Sequence, residues 1–167
     1  MNTQQIEYIL KRDPFVGSSF RGVFARNLLP NFESGICVVN TLPSRQKSGH
    51  WIALYITHDE AEYFDSYGKD VPLFLKNKWK EKSWTSNPVA LQSPLSAVCG
   101  QYCVYYLLHR ARGLSMSRIF ANFSNDVDYN DRFVYEFVQN HYDFDDLKLL
   151  DTEGFVTQLA KSLVNWI

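Results

Sequence analysis

Four residues of this 167-residue chain could act together: His50, Asp65, Gln92 and Cys99. A cysteine attacks as its thiolate, so it needs a base close by and a field that favours the anion. Histidine is the usual base near neutral pH, and a carboxylate can orient its ring. A side-chain amide near the thiol can donate to the oxyanion that forms when a thiolate adds to a carbonyl. Each residue also has a plainer reading on its own. A cysteine in an apolar helix is usually a small core side chain. A lone histidine before a tryptophan is more often a satisfied structural side chain than a catalyst, Asp65 alone reads as a strand end, and Gln92 alone as a surface amide. The order along the chain is His, acid, Gln, Cys, the reverse of papain-type enzymes, where the cysteine comes early.

The elements that would position these residues can be read from periodicity. Residues 3–13 place Ile6, Ile9 and Leu10 at helical spacing, and Pro14 ends the helix. Residues 14–35 read as a loop. The apolar runs 36–40 (ICVVN) and 51–57 (WIALYIT) read as strands, and 61–67 (AEYFDSY) as a third after a turn at 58–60. That hairpin puts positions 50 and 67 at one end, so Asp65 lies within about one strand pair of His50. A short helix is expected over 71–79 and a strand over 88–92 (PVALQ). Residues 96–112 carry the strongest helical pattern, with Ser96 as N-terminal cap and Gly113 as the stop. Cys99 then sits in the first turn, where unpaired N–H groups and the helix dipole favour negative charge. Further helices are expected over 115–123, 130–141 and 152–166. Helices at both ends and strands in the middle give an α+β class.

Composition narrows the function classes. Apolar residues make up 46% of the chain and charged residues 21%, and there are 12 Phe, 10 Tyr and 4 Trp, which suits a folded domain. At this length a single domain over 1–167 is expected. Net charge is −1, so overall charge forecasts no strong grip on nucleic acid. The densest basic stretch, KNKWKEK at 76–82, reads as a solvated face. No apolar run is long enough to span a membrane, and the start lacks a signal peptide's apolar core. Three cysteines form no disulfide framework, so an intracellular, soluble setting is expected. Cys37 in ICVVN reads as core. Cys103 lies four residues after Cys99 and has no second pair, so it reads as packing and no metal set is assigned. His58, His109 and His141 read as surface or structural.

The segments SGHWIALYI, EYFDSYG and LQSPLSAVCGQYCVYYL together resemble the adenovirus maturation proteases (adenain). The shared signature is His-Trp, an acid followed by an aromatic-Gly pair, and a Gln seven residues before the Cys of Ser-x-x-Cys-Gly. SUMO-deconjugating and related ubiquitin-like proteases form the wider clan, with a Gln-to-Cys spacing one residue shorter. YFDSYG and the later NDRFVYEFV look closest to proteases of Polinton (Maverick) elements and adintovirus-like viruses. PFVG and NLLP within 14–30 are similar to that family's N-terminal loop, and the resemblance covers roughly residues 3–140.

The resemblance implies a central mixed β-sheet with helices on both sides and the cysteine at the N-terminus of a central helix. It implies Cys99 as nucleophile, His50 as proton carrier, Asp65 as the group orienting His50, and Gln92 with the Cys99 N–H as oxyanion donors. Trp51 would pack beside the site, and Gly100 would leave the helix start open for substrate. The implied activity is a cysteine endopeptidase cutting viral capsid or core precursors after small or glycine-containing sites. Its location would be the virion, host nucleus or viral factory. The alternatives are a deconjugating protease for ubiquitin-like proteins and a non-catalytic binding module of the same fold. Polypeptide substrates are the expected partners, with no membrane partner, a monomeric chain, and only weak grounds for nucleic acid. No cofactor is expected for the chemistry. The adenoviral enzymes are strongly basic, use DNA, and take an activating peptide through a disulfide. The charge of −1 and the lack of any cysteine between Asp65 and Gln92 point away from a DNA or disulfide-linked peptide activator here.

Overall fold

A computed structural model describes residues 1–46 and 49–142. Helix α1 (Thr3–Arg12) opens on a capping box: the Asn2 side chain accepts from the Gln5 N–H, and Gln5 reaches back to the Asn2 N–H. Its buried stripe is the expected Ile6, Ile9 and Leu10. Five strands follow: β1 (Phe20–Ala25), β2 (Gly35–Asn40), β3 (Trp51–Ile56), β4 (Glu60–Phe64) and β5 (Ser83–Ser86). They form one sheet in the order β1-β2-β3-β4-β5. The two outer pairings, β1 with β2 and β4 with β5, are parallel, and the two inner ones are antiparallel. The sheet is therefore mixed, in an α+β arrangement.

Two expectations fail here. Residues 14–35 are not all loop, because β1 lies within them. Its burial alternates poorly and it contains Gly22 at φ 133°, so it carries no clear strand pattern. Residues 88–92 form no strand. The edge strand lies earlier, at β5, and the N–H groups of Leu91 and Gln92 both donate to the Ser66 carbonyl instead of to a ladder.

Alternation along the inner strands splits the core in two. Ile36, Val38, Ala53 and Phe64 face α1, α3 (Cys99–Ala111) and α5 (Val127–His141). Cys37, Val39, Ile52, Leu54, Ala61 and Tyr63 face the other way, onto Leu75 and Trp79 at and just past α2 (Leu73–Lys78). Helices thus cover both faces. The short α4 (Met116–Phe120) is capped by Ser115, whose hydroxyl oxygen accepts from the Arg118 N–H. The helix expected over 152–166 lies outside the described residues. No helix among the described residues is long and apolar enough to cross a membrane.

Helix α3 is buried along nine consecutive residues, from Gly100 to Leu108, so it is the central helix of the larger core. A half-buried ion pair ties it to the sheet. Arg110 donates from Nε to Glu62 Oε2 at 2.7 Å and from a terminal nitrogen to Oε1 at 2.9 Å, and the Tyr106 hydroxyl donates to Oε2 at 2.6 Å. α3 is thereby held in one register against β4, and Cys99 with it.

Candidate active site

Cys99 is the first residue of α3. The expected cap at Ser96 is not observed. The helix starts three residues later, with Val98 in the cap position and no side-chain cap bond. Ser96 is engaged elsewhere: its hydroxyl donates to the Ser93 carbonyl at 3.2 Å and accepts from Gln92 Nε2 at 3.0 Å. The first-turn N–H groups therefore keep their positive field beside the Cys99 thiol, uncompensated by a side chain.

Strand β3 starts at Trp51 and brings His50 to the same place. His50 Nε2 lies 2.7 Å from Asp65 Oδ1, and the ring also hydrogen-bonds Cys99. Asp65 follows β4 directly. Its Oδ1 also accepts from the Tyr67 N–H at 2.8 Å, and its Oδ2 from the Tyr63 hydroxyl at 3.0 Å. Asn87, just past β5, closes the back of the turn. It accepts from the Asp65 N–H at 2.8 Å and donates to the Asp65 carbonyl at 2.6 Å. Tyr67 stacks on the imidazole, ring centroids 4.6 Å apart.

The electrostatics follow from these contacts. Burial alone would lower the His50 pKa, but the hydrogen bonds to Asp65 and Cys99, and their charges, raise it from 6.5 to about 9. Burial would raise Asp65, and the His50 contact with the Tyr67 and Tyr63 donors takes it below its ordinary value instead. Burial would likewise raise Cys99. The His50 hydrogen bond, a hydrogen bond from the Trp51 N–H and the His50 charge bring it below its ordinary value. The arrangement favours a thiolate–imidazolium pair held by a carboxylate. Burial drives the other two thiols the opposite way, and Cys37 and Cys103 are both pushed up. Both are core residues, as expected.

Gln92 is 1% exposed. Its Nε2 donates to the Ser96 carbonyl at 3.1 Å and to the Ser96 hydroxyl oxygen, and its Oε1 accepts from the Ser66 hydroxyl at 2.6 Å. A carbonyl oxygen can only accept, so the amide end facing Ser96 must be the NH2. The donating end thus points at the segment that leads into Cys99. Ser66 follows Asp65 in sequence, so one turn supports both the imidazole partner and the amide.

A cleft of about 510 Å³ runs past the thiol, lined among others by Met1, His50, Trp51, Tyr67, Ser96 and Cys99. The Trp51 indole N–H donates to the Met1 carbonyl at 3.2 Å. Gly100 is buried. A Cβ there would come within 2.9 Å of Met1 Cβ and 3.5 Å of Trp51 Cδ1, so its missing side chain allows α3 to pack closely against both. His58 is exposed in its turn, and His109 and His141 each donate from Nδ1 to a backbone carbonyl one turn earlier. All five remaining Cys and His residues therefore stand outside the site.

The structure brings His50, Asp65 and Cys99 into one hydrogen-bonded group and sets Gln92 beside Ser96. It also adds Ser66, Tyr67, Tyr63 and Asn87, which sequence reasoning did not single out. The Tyr-Gly pair after the acid was the visible signal for Tyr67. Asn87 carries no local signal, because its partners are 22 residues away.

No family model matches the sequence, and no curated protein matches it. Solved structures match it in shape. A crystal structure of the ASFV pS273R protease aligns with a TM-score of 0.50 at 16% identity, over 78% of this chain and 63% of that one. A selenomethionine structure of the same protease gives 0.54 at 16% identity, over 80% and 66%. The SUMO protease Ulp1, with its catalytic cysteine oxidised to a sulfinic acid, gives 0.45 at 13% identity, over 80% and 74%. The chain spans 63% of the first of these structures, and the likeness is one of fold.

Proposed function

We propose that this chain is a cysteine endopeptidase that cuts viral capsid or core precursors after small or glycine-containing sites. The observation that carries the reading is the Cys99 thiol at the start of α3, with its pKa lowered by His50, whose ring is held by Asp65 at 2.7 Å. The fold shared with the ASFV protease supports the viral setting.

The chemistry follows from the geometry. The Cys99 thiolate adds to the carbonyl carbon of the scissile peptide, and the π electrons move to its oxygen. The Cys99 N–H and Gln92 Nε2 stabilise that oxyanion. To do so, the Gln92 amide releases one of its two bonds to Ser96. As the C–N bond breaks, His50 gives its proton to the leaving amine, and a thioester remains on Cys99. His50, now neutral, takes a proton from water. The water oxygen adds to the thioester, and the acid product leaves as the thiolate–imidazolium pair is restored. Asp65 keeps its charge throughout and holds the ring. Trp51, fixed by its bond to the Met1 carbonyl, lines the cleft beside Cys99, and in this reading the residues just before the scissile bond pass against its ring, where a glycine would fit best.

The test is incubation of the purified chain with a glycine-directed peptide library, with co-encoded capsid precursors and with ubiquitin-like fusions, read by mass spectrometry. Cuts after glycine in the precursors, absent with Cys99→Ala, support the reading. Cutting of the fusions alone would establish a deconjugase. Failure to cut any substrate, with Cys99 no more reactive than Cys37, would refute the peptidase assignment.

A further inference from the structure

The motif NDRFVYEFV at 130–138 lies on α5, outside the hydrogen-bonded group at Cys99, yet its first two residues are buried polar groups. Asn130 is wholly buried and Asp131 is 9% exposed. Both reach the segment that carries Gln92. Asn130 Nδ2 lies 3.2 Å from the Leu91 carbonyl oxygen, to which it donates. Asp131 Oδ2 accepts from the Ser93 N–H at 3.3 Å. Tyr102 of α3 joins them: its hydroxyl is 2.8 Å from the Leu91 carbonyl oxygen and 2.9 Å from Asp131 Oδ1. The residues before and after Gln92 are therefore anchored to helices, while Ser66 holds Gln92 itself.

We infer that Asn130 and Asp131 of α5 are positioning residues for Gln92, setting its amide beside the start of α3 through Leu91 and Ser93. The inference rests on the peptidase reading above. The geometry gives the reason. Residues 87–98 form no helix or strand, so no ladder fixes them. Bonds to the two neighbours of Gln92 replace that ladder. Asn130 is itself locked, donating to the Ser124 carbonyl at 2.9 Å and accepting from the Ser124 N–H at 2.9 Å. A rigid donor aimed at the oxyanion needs such support, because misplacement by about 1 Å can cost on the order of 10²-fold in rate.

The test compares the full chain with D131N, Y102F, Q92A and the double variant D131N/Q92A. Two readouts are used: cleavage of a peptide selected from the glycine library, and alkylation of Cys99 by iodoacetamide. Alkylation needs the thiolate but forms no oxyanion, so it separates positioning of Gln92 from general damage. D131N keeps the side-chain shape and places an NH2 where an acceptor stood. The expected result is a fall in kcat of about 10-fold or more with KM nearly unchanged. The rate and pH profile of alkylation should stay at the wild-type level. In the Q92A background, D131N should add at most about 2-fold, because the residues act through one another. If D131N does not fold, Y102F, which deletes only a hydroxyl, is expected to show the same pattern.

Unchanged kcat in folded D131N and Y102F, losses that multiply fully in the double variant, or alkylation falling in step with kcat would each overturn the inference. A wild type that cuts peptides while D131N is unaffected refutes this inference alone. A wild type that neither cuts nor alkylates at Cys99 refutes the peptidase reading with it.

Discussion

His50 uses Nε2 to meet Asp65 Oδ1 at 2.7 Å, which leaves Nδ1 as the ring nitrogen for Cys99. The carboxylate therefore sits behind the imidazole, pulling charge onto it while the thiol sits in front. The opposing shifts of these groups follow: His50 goes up to about 9, and Asp65 and Cys99 go down.

The pH dependence of cleavage has a definite sign. Activity needs Cys99 deprotonated and His50 protonated. It should rise as pH increases through the Cys99 pKa, below its ordinary 9.0, and fall as pH passes about 9 and His50 loses its proton. Asp65→Asn removes the charge behind the ring, so the alkaline limb should move to lower pH. A pH profile of kcat/KM checks this, and an unmoved limb would detach Asp65 from His50. Stability carries the matching sign. His50 binds its proton more tightly when folded, so its contribution is complete below 6.5 and is lost as pH rises towards about 9. The Asp65 contribution is present above its ordinary 3.8 and is lost as pH falls through its lower folded value.

Thiol reactivity should be confined to Cys99. Iodoacetamide is expected to label it well ahead of Cys37 and Cys103, whose thiols are buried and pushed up. Cys99→Ala should abolish cleavage and leave the fold intact. Activity should be equal or higher in millimolar reductant, because no other thiol is exposed to receive a disulfide-linked activator. Peptide mapping after alkylation, and non-reducing gels with co-encoded proteins, check both statements.

Gln92→Ala should lower kcat by about 10²–10³, with little effect on KM. Ser66→Ala should give a smaller loss of the same kind, since it frees Oε1 and lets the amide rotate. Steady-state kinetics decide between this and a binding role. A change confined to KM would make Gln92 a substrate contact.

Gly68 is a backbone position near the site that leaves no room for a side chain. It has φ +64°, and a Cβ there would stand 2.5 Å from the Val89 carbonyl carbon and 2.6 Å from the Ala90 nitrogen. Gly68→Ala carries about 1–2 kcal/mol from the left-handed conformation alone. It must also push the main chain at 89–90, which leads directly to Gln92. Lower thermal stability together with lower kcat is expected. Wild-type values of both would mean that the segment yields freely.

The sequence by itself determined the β3–β4 hairpin, the buried stripe of α1 and the apolar length of α3. These rest on local periodicity, and each strand or helix presents its own face. It also singled out His50, Asp65, Gln92 and Cys99 as the candidate set, by their types, their order and their spacing, and the structure brings His50, Asp65 and Cys99 into one hydrogen-bonded group with Gln92 beside Ser96. Tertiary structure alone decided where α3 begins, since Ser96 bonds Ser93 and Gln92 instead of capping the helix. It decided that 88–92 is not a strand, since Ser66 captures two of its N–H groups. It also decided that Ser66, Asn87, Asn130 and Asp131 belong around the site. Their partners lie from 22 to 39 residues away, and a hydrogen bond across that span leaves no period in the chain to read.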